Sequence, residues 1–312
     1  MAIAGLGYPK GLFVLPFDHR SSFERGLLGI SGRQPNSAEV EQLSAYKRII
    51  YEGLLEALSD GVPKESAAML VDQKYGARLL AEAKALGIVT CAPVEKSGQS
   101  EFDFEYGDDF RQHIEKAAPT FTKALVRYNP EGDATVNENQ RRRLATLSDY
   151  AHSNGYKFMF ELLVPATESQ AEAVAQDSRA YDLKLRPELT TRTMAELQDA
   201  GVEPDVWKLE GTEDPEAARS FVTQARTGGR SDVGLIILGR GENDERVREW
   251  LTIGAKTKGV VGFAVGRTVF WQPLVDHKKG LISRADAVGR IAGTYQGLYE
   301  LFLDARAQAA AV

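Results

Sequence analysis

Residues 11–20 read GLFVLPFDHR, an apolar run that ends in an acid, an imidazole and a guanidinium. A strand that finishes in solvent more often closes on a turn residue such as Gly, Asn or Ser. Asp18, His19 and Arg20 stand instead where a buried strand emerges, the edge at which parallel α/β folds place their chemistry. Whether other apolar runs end the same way decides the fold.

Several do. Short β-rich runs fall at 13–17, 68–71, 88–93, 122–127, 157–163, 206–210, 234–238 and 260–265. Between them lie helical patterns. In AEVEQLSAYKRIIYEGLLEALSDG (38–61), Leu43, Tyr46, Ile50, Leu54 and Leu58 recur close to the 3.6 period, and the pattern stops at Gly61. DPEAARSFVTQARTGG opens on Asp-Pro and closes on a glycine pair, the expected asymmetry of helix ends. Strand–helix alternation along the whole chain predicts a parallel sheet, and about eight βα units is the number a (β/α)8 TIM barrel requires. The wider gaps after the first and fifth strands leave room for extra helices, including PELTTRTMAELQDAG. With no Pro/Ser-rich linker and no composition shift, residues 1–312 read as one domain. A doubly wound open sheet is the alternative, weakened because no G-x-G-x-x-G follows the first strand.

Composition narrows the function classes. Of the 312 residues 43% are hydrophobic and 26% charged, ordinary for a globular protein with a real core. The net charge of −6, with no basic tract interleaved with aromatics, disfavours a nucleic-acid surface. No segment approaches the roughly 20 apolar residues of a membrane helix, and the N-terminus lacks signal-peptide character. Cys91 is the single cysteine, which fits a reducing compartment and makes a cytoplasmic location the expectation. The four histidines, His19, His113, His152 and His277, include no pair at ligand spacing on one element, so neither a metal nor another cofactor is expected. Cys91 reads as a small buried apolar residue, and His113 and His152 as surface residues. Asp72 either binds substrate or caps the following helix. Phe102, Phe104 and Tyr106 are weak candidates for a lid.

The strand ends carry the chemistry. In FTKALVRYNP (121–130), Lys123, Leu125 and Arg127 share one face; Glu161 shares a face with Met159 and Leu163, and Lys208 and Glu210 with Val206. Asp72, Gln73 and Lys74 end another run, and Glu95-Lys96 follow GIVTCAPV. In a barrel all the carboxyl ends open on one rim, so these residues converge on one pocket. A lysine inside a buried strand is costly unless paired or functional. A structural salt-bridge network is one explanation for Lys123, Lys208, Asp18 and Glu161. Schiff-base chemistry is the other: an amine that attacks a carbonyl must be neutral, a second cation nearby lowers its pKa, and a carboxylate shuttles the protons. LGRGEN (238–243) and AVGRT (264–268) follow the seventh and eighth strands, where barrels commonly bind phosphate. Gly239, Gly241 and Gly266 let backbone N–H groups approach an anion, and Arg240 or Arg267 adds a charged fork. Tight turns alone would also explain the glycines. On the residues alone the expectation reaches no further than Schiff-base chemistry on a phosphorylated carbonyl compound.

LPFDHR, LVDQKYG, KALVRYNP, WKLEG, LGRGENDERVREWL and GFAVGRTVFWQPL together resemble the aldolase domain that follows a sugar-kinase half in bifunctional inositol-catabolism proteins, domain of unknown function 2090. That domain is in turn similar to class I tagatose-bisphosphate and sulfofructose-phosphate aldolases, which are (β/α)8 barrels. The resemblance implies that Lys208 is the Schiff-base lysine, with Asp18, Lys123 and Glu161 as catalytic partners and Arg267 as phosphate ligand. It implies a carbon–carbon lyase that cleaves 6-phospho-5-dehydro-2-deoxy-D-gluconate to dihydroxyacetone phosphate and malonate semialdehyde. A ketose phosphate or bisphosphate is the rival substrate. Arg127 and Arg20 are candidates for a distal carboxylate, and His19 for catalysis or for orienting its neighbours. No kinase half precedes Leu12, so a separate kinase or another pathway is expected. A non-catalytic sugar-phosphate-binding barrel is the reading from a different class, and a fourth-strand nucleophile at Lys123, as in transaldolases, is the other enzymatic one. The expected partner is the phosphorylated small molecule, with no membrane and no nucleic acid; assembly into a homo-oligomer stays open.

Overall fold

The computed structural model describes residues 5–239, 241 and 243–311. Eight strands form within a residue of where the apolar runs place them: β1 (Leu12–Pro16), β2 (Ala67–Leu70), β3 (Val89–Pro93), β4 (Phe121–Arg127), β5 (Lys157–Leu163), β6 (Val206–Glu210), β7 (Gly234–Leu238) and β8 (Val260–Ala264). They close in sequence order into a barrel, every neighbouring pair parallel, with β8 returning to β1. This is the (β/α)8 TIM barrel that the alternation predicts.

Twelve α-helices surround it: α1 (Ser21–Leu28), α2 (Ser37–Ser59), α3 (Gln73–Ala85), α4 (Phe110–Ala117), α5 (Ala134–Ser153), α6 (Glu168–Ala173), α7 (Ser178–Lys184), α8 (Arg186–Asp199), α9 (Pro215–Ala225), α10 (Asp244–Lys256), α11 (Arg267–Lys278) and α12 (Arg284–Ala310) among the described residues. The wider gaps after β1 and β5 hold α1, α6 and α7. Several helices start on side-chain caps. Asn36 accepts from the Glu39 amide at 3.0 Å while the Glu39 carboxylate accepts from the Asn36 amide at 2.8 Å, which satisfies two orphan donors at the head of α2. Asp72 caps α3 by accepting from the Tyr75 amide at 2.9 Å. Among the described residues no helix is long and apolar enough to cross a membrane.

Period-2 alternation divides the core. Leu12, Val14, Ala68, Leu70, Cys91, Phe121, Met159, Val206 and Ile236 pack inside the barrel. Their strand neighbours, such as Phe13, Leu15, Phe160 and Trp207, face the helices. Each fully buried side chain of this size contributes about 1.5–3 kcal/mol of transfer free energy. One pleat toward the carboxyl ends the interior changes character. Phe121 gives way to Lys123, Met159 to Glu161 and Val206 to Lys208. The register sets Leu125 beside Glu161 and Glu161 beside Lys208. The apolar floor thus supports a charged layer, which the eight strands aim into one mouth.

Candidate active site

A cavity of about 410 Å³ opens at the carboxyl ends of the strands. Asp18, His19, Arg20, Lys123, Arg127, Glu161, Lys208, Gly239, Gly241, Gly266 and Arg267 all line it. The barrel therefore brings these residues together; Asp72, Gln73, Lys74 and Glu210, also expected on the rim, do not line the cavity, and Arg240 lies outside the described residues. Among the described residues, seven lysine and arginine side chains face three carboxylates around this cavity, in a protein whose net charge is −6.

At its base the charged groups form one chain of contacts. The Lys123 ammonium, 1% exposed, lies 2.9 Å from the Asp18 carboxylate, 2.7 Å from Glu95 and 2.8 Å from Glu161. The second Glu161 oxygen lies 2.9 Å from the Lys208 ammonium nitrogen, and Lys208 is 3% exposed. One carboxylate thus joins both lysines. Three carboxylates surround Lys123, whereas Glu161 is the acid paired with Lys208. This asymmetry separates two lysines that look alike in the sequence.

The electrostatics follow the packing. Burial alone would lower the Lys123 pKa, but the carboxylates of Asp18, Glu161 and Glu95 outweigh it and hold the ammonium well above its ordinary value. Burial would raise Asp18 and Glu161; the charges of Lys123 and Lys208 overcome it and hold both carboxyls below the usual range. For Glu95 burial wins over Lys123 and Arg20, and its pKa is raised. His19 is pushed down to about 4 by burial, which the nearby Asp18 opposes and the cations of Arg267 and Lys47 reinforce, so its ring is neutral at pH 7. Its Nδ1 is buried without a hydrogen-bond partner among the described residues, and the ring stands edge-on to Phe270 at 5.8 Å.

The glycine loops follow β7 and β8, between the strand that carries Lys208 and the strand that leads into Asp18. Gly266 caps α11, and a Cβ there would overlap the Pro16 carbonyl oxygen. Gly241 adopts φ +78°, and the space a Cβ would fill is taken by the Arg267 guanidinium. The backbone around Gly266, Arg267 and Thr268 forms the first turn of α11, where N–H groups have no intrahelical acceptor, and these residues line the cavity.

Glu95 is expected at the rim but without a role, and Lys47 is not singled out by the strand ends. Glu95, just beyond β3, is 4% exposed, and its Oε2 has no hydrogen-bond partner among the described residues. Its signal in the sequence is the strand-ending acid after GIVTCAPV, the same signal that marks Asp18. Arg20 donates to the Glu95 carbonyl at 2.8 Å and pairs with Glu105 at 3.1 Å, so its guanidinium is engaged within the wall. Arg127 sits at the mouth and donates to the Gln99 carbonyl at 2.8 Å. Asp72 caps α3 and pairs with Lys47, and it does not line the cavity. Phe102 and Phe104 are buried, with Phe104 stacked on Phe110 at 4.0 Å; they anchor the loop after β3 and are not a lid. His152 is no free surface residue: its Nε2 lies 3.1 Å from the buried Asp205 carboxylate at the opposite end of the barrel.

The sequence matches, over residues 7–306, the family described as "Uncharacterized protein conserved in bacteria (DUF2090)", and the chain belongs to that family. No curated protein matches the sequence. Among solved structures, fructose-bisphosphate aldolase from Plasmodium falciparum is similar, with a TM-score of 0.65 and 13% identity over 95% of this chain and 91% of that one. Fructose-bisphosphate aldolase from Slackia heliotrinireducens is similar with a TM-score of 0.54 and 14% identity, over 91% of this chain and 86% of that one. Cgl0159 from Corynebacterium glutamicum gives a TM-score of 0.54 and 17% identity, over 93% and 88% of the two chains. At these identities the likeness is one of fold.

Proposed function

We propose that this member of the family is a class I aldolase that forms a Schiff base through Lys208. The observation that carries the reading is the single carboxylate of Glu161 shared between two buried lysines, at 2.8 Å from Lys123 and 2.9 Å from Lys208. Lys123, enclosed by three acids, keeps its proton and is a poor nucleophile. Lys208 hands its proton to Glu161 and attacks. The likeness of fold to aldolases and the family resemblance of WKLEG support the same assignment.

The substrate proposed is 6-phospho-5-dehydro-2-deoxy-D-gluconate. The Lys208 nitrogen adds to its keto carbon, and Glu161 passes the proton it took to the carbinolamine hydroxyl, which leaves as water. The resulting iminium is an electron sink. A carboxylate of the cluster removes the proton from the hydroxyl two carbons away, and the bond between that carbinol carbon and its neighbour breaks. Malonate semialdehyde departs, and the bonding electrons pass into the enamine. Protonation of the enamine carbon and hydrolysis by water release dihydroxyacetone phosphate and return the free amine. Lys123, a fixed ammonium, holds a substrate oxygen, and Asp18 orients both. Arg267, Gly266 and the Gly239–Gly241 turn hold the phosphate at the N-terminus of α11. Arg127 meets the distal carboxylate at the mouth, and Arg20 keeps Glu95 in place.

Borohydride reduction in the presence of dihydroxyacetone phosphate tests this directly. A stable mass should appear on one peptide, the one containing Lys208. Labelling of Lys123 instead would move the nucleophile to β4. Absence of any label, together with absence of turnover, would leave a sugar-phosphate-binding barrel.

A further inference from the structure

Lys47 lies outside the cavity, on the inner face of α2, and is fully buried at 0% exposure. Its ammonium donates to the carbonyl of Phe17 at 2.8 Å and to that of His19 at 3.0 Å, and it pairs with the Asp72 carboxylate. The aromatic rings of Phe23 and Tyr75 each stand 5.3 Å from it. Its hydrogen bonds and its ion pair are thus all made inside the protein.

The two carbonyls to which it donates belong to the residues on either side of Asp18. Residues 17–20 belong to neither a strand nor a helix. The sheet reaches only as far as the Phe17 amide, which donates to the Leu70 carbonyl at 2.8 Å, and α1 begins at Ser21. Across this gap the direction of the Asp18 side chain, 2.9 Å from Lys123, depends on how the peptide units on either side are held. A buried lysine is expensive to desolvate, and a helix–strand contact needs no charge. What the ammonium does that an apolar side chain cannot is grip two carbonyls two positions apart in the chain. Asp72 compensates the charge and, through its bond from the Tyr75 amide, ties the grip to the head of α3.

We propose that Lys47 is a positioning residue for the reaction: it clamps the Phe17 and His19 carbonyls so that Asp18 is aimed at Lys123. The inference rests on the Schiff-base reading for its catalytic consequence, though the clamp itself can be observed without turnover.

The test compares wild type, Asp72→Asn and the double variant Lys47→Met/Asp72→Asn. Lys47→Met alone would strand a buried carboxylate and threaten folding, whereas Asn at position 72 removes that charge and keeps the oxygen that caps α3. Two quantities are measured. The first is the rate of borohydride trapping as a function of dihydroxyacetone phosphate concentration. A misplacement of about 1 Å costs on the order of a hundredfold in rate. The double variant should therefore lose about ten- to a hundredfold in maximal trapping rate, with half-saturation changed less than about threefold because Lys47 bonds to Phe17, His19 and Asp72 and to none of the phosphate ligands at the head of α11. Asp72→Asn, which retains both carbonyl bonds, should stay within about threefold of wild type. The second is the backbone order parameter of Asp18 and His19 from nitrogen-15 relaxation. It should be about 0.85 in wild type and Asp72→Asn, and drop toward 0.6 in the double variant.

A double variant with unchanged trapping and unchanged order parameters overturns the proposal, as does a loss that Asp72→Asn reproduces in full. If the double variant does not fold, the wild type still decides: order parameters at loop values for Asp18 and His19 refute the clamp. A wild type that traps no dihydroxyacetone phosphate refutes the Schiff-base reading, while the order parameters continue to judge Lys47.

Discussion

Lys123→Met removes the one cation that three buried carboxylates share, and its consequence depends on pH with a definite sign. Removing one partner of a buried ion pair costs about 3–5 kcal/mol. Lys123 is 1% exposed and has partners at 2.9, 2.7 and 2.8 Å, which sets the cost at the upper end near neutral pH. For a domain of this size a loss of 1 kcal/mol lowers Tm by about 2 °C, so Tm should fall by on the order of 10 °C at pH 8. In the wild type the folded Lys123 titrates above its unfolded value, so its contribution is complete below the unfolded value of about 10.4 and is lost as the pH rises from there through the folded value. Asp18 and Glu161 titrate below their unfolded values, so their contribution is present above about pH 4–5 and disappears as pH falls through the folded values. Glu95 alone works the other way, its raised pKa favouring the protonated acid in the folded state.

Without Lys123 the three acids repel one another and rise above their unfolded values. The folded variant then takes up protons as the pH drops from 8 to 5, each worth up to about 1.4 kcal/mol per pH unit. The Tm gap between wild type and variant should therefore be widest at pH 8 and shrink by at least half at pH 5. The assay is thermal unfolding by circular dichroism at one scan rate across that range. A gap that is constant with pH, or smaller than about 2 °C throughout, would refute the claim that Lys123 neutralises this cluster.

Glu161→Gln keeps an acceptor oxygen for one of the two lysines, turns an amide NH2 toward the other, and removes the proton acceptor that the proposed chemistry requires. The trapping rate and kcat should fall by about 10²–10⁴-fold with half-saturation little changed, and a rate within threefold of wild type would assign the proton shuttle elsewhere. Arg267→Ala should raise KM for a phosphorylated substrate by about ten- to a hundredfold, since a charge-assisted bond to phosphate contributes about 1.5–3 kcal/mol. The check is kcat/KM for substrate with and without its phosphate: an unchanged ratio with a lowered Tm would make Arg267 structural.

The strands were legible because side-chain alternation is a local property. Lys157–Leu163 and Val206–Glu210 can be bounded to the residue from their apolar faces, and the same alternation places Glu161 and Lys208 inside the barrel. Strand–helix repetition then required the carboxyl ends to share a rim, so Asp18, Lys123, Glu161, Lys208 and Arg267 were brought to one cavity before any distance was known. Lys47 left a trace too. It lies four residues after Leu43 and three before Ile50, on the buried stripe of α2, where a lysine breaks the pattern.

What the sequence alone left undecided is how the charges are shared. Nothing in FTKALVRYNP or DVWKLEG tells that Lys123 gathers Asp18, Glu95 and Glu161 while Lys208 pairs with Glu161. Asp18 is 105 residues from Lys123, and their contact exists only because β1 and β4 are held across a closed barrel. Nor does a run such as LPFDHR show that Arg20 turns into the wall toward Glu95 and Glu105 while Asp18 turns to the interior. Periodicity selects the face on which a side chain stands, a matter of backbone geometry over two or four residues. Which of several like charges it meets is decided by barrel closure and by desolvation, and both act only once the whole chain has packed.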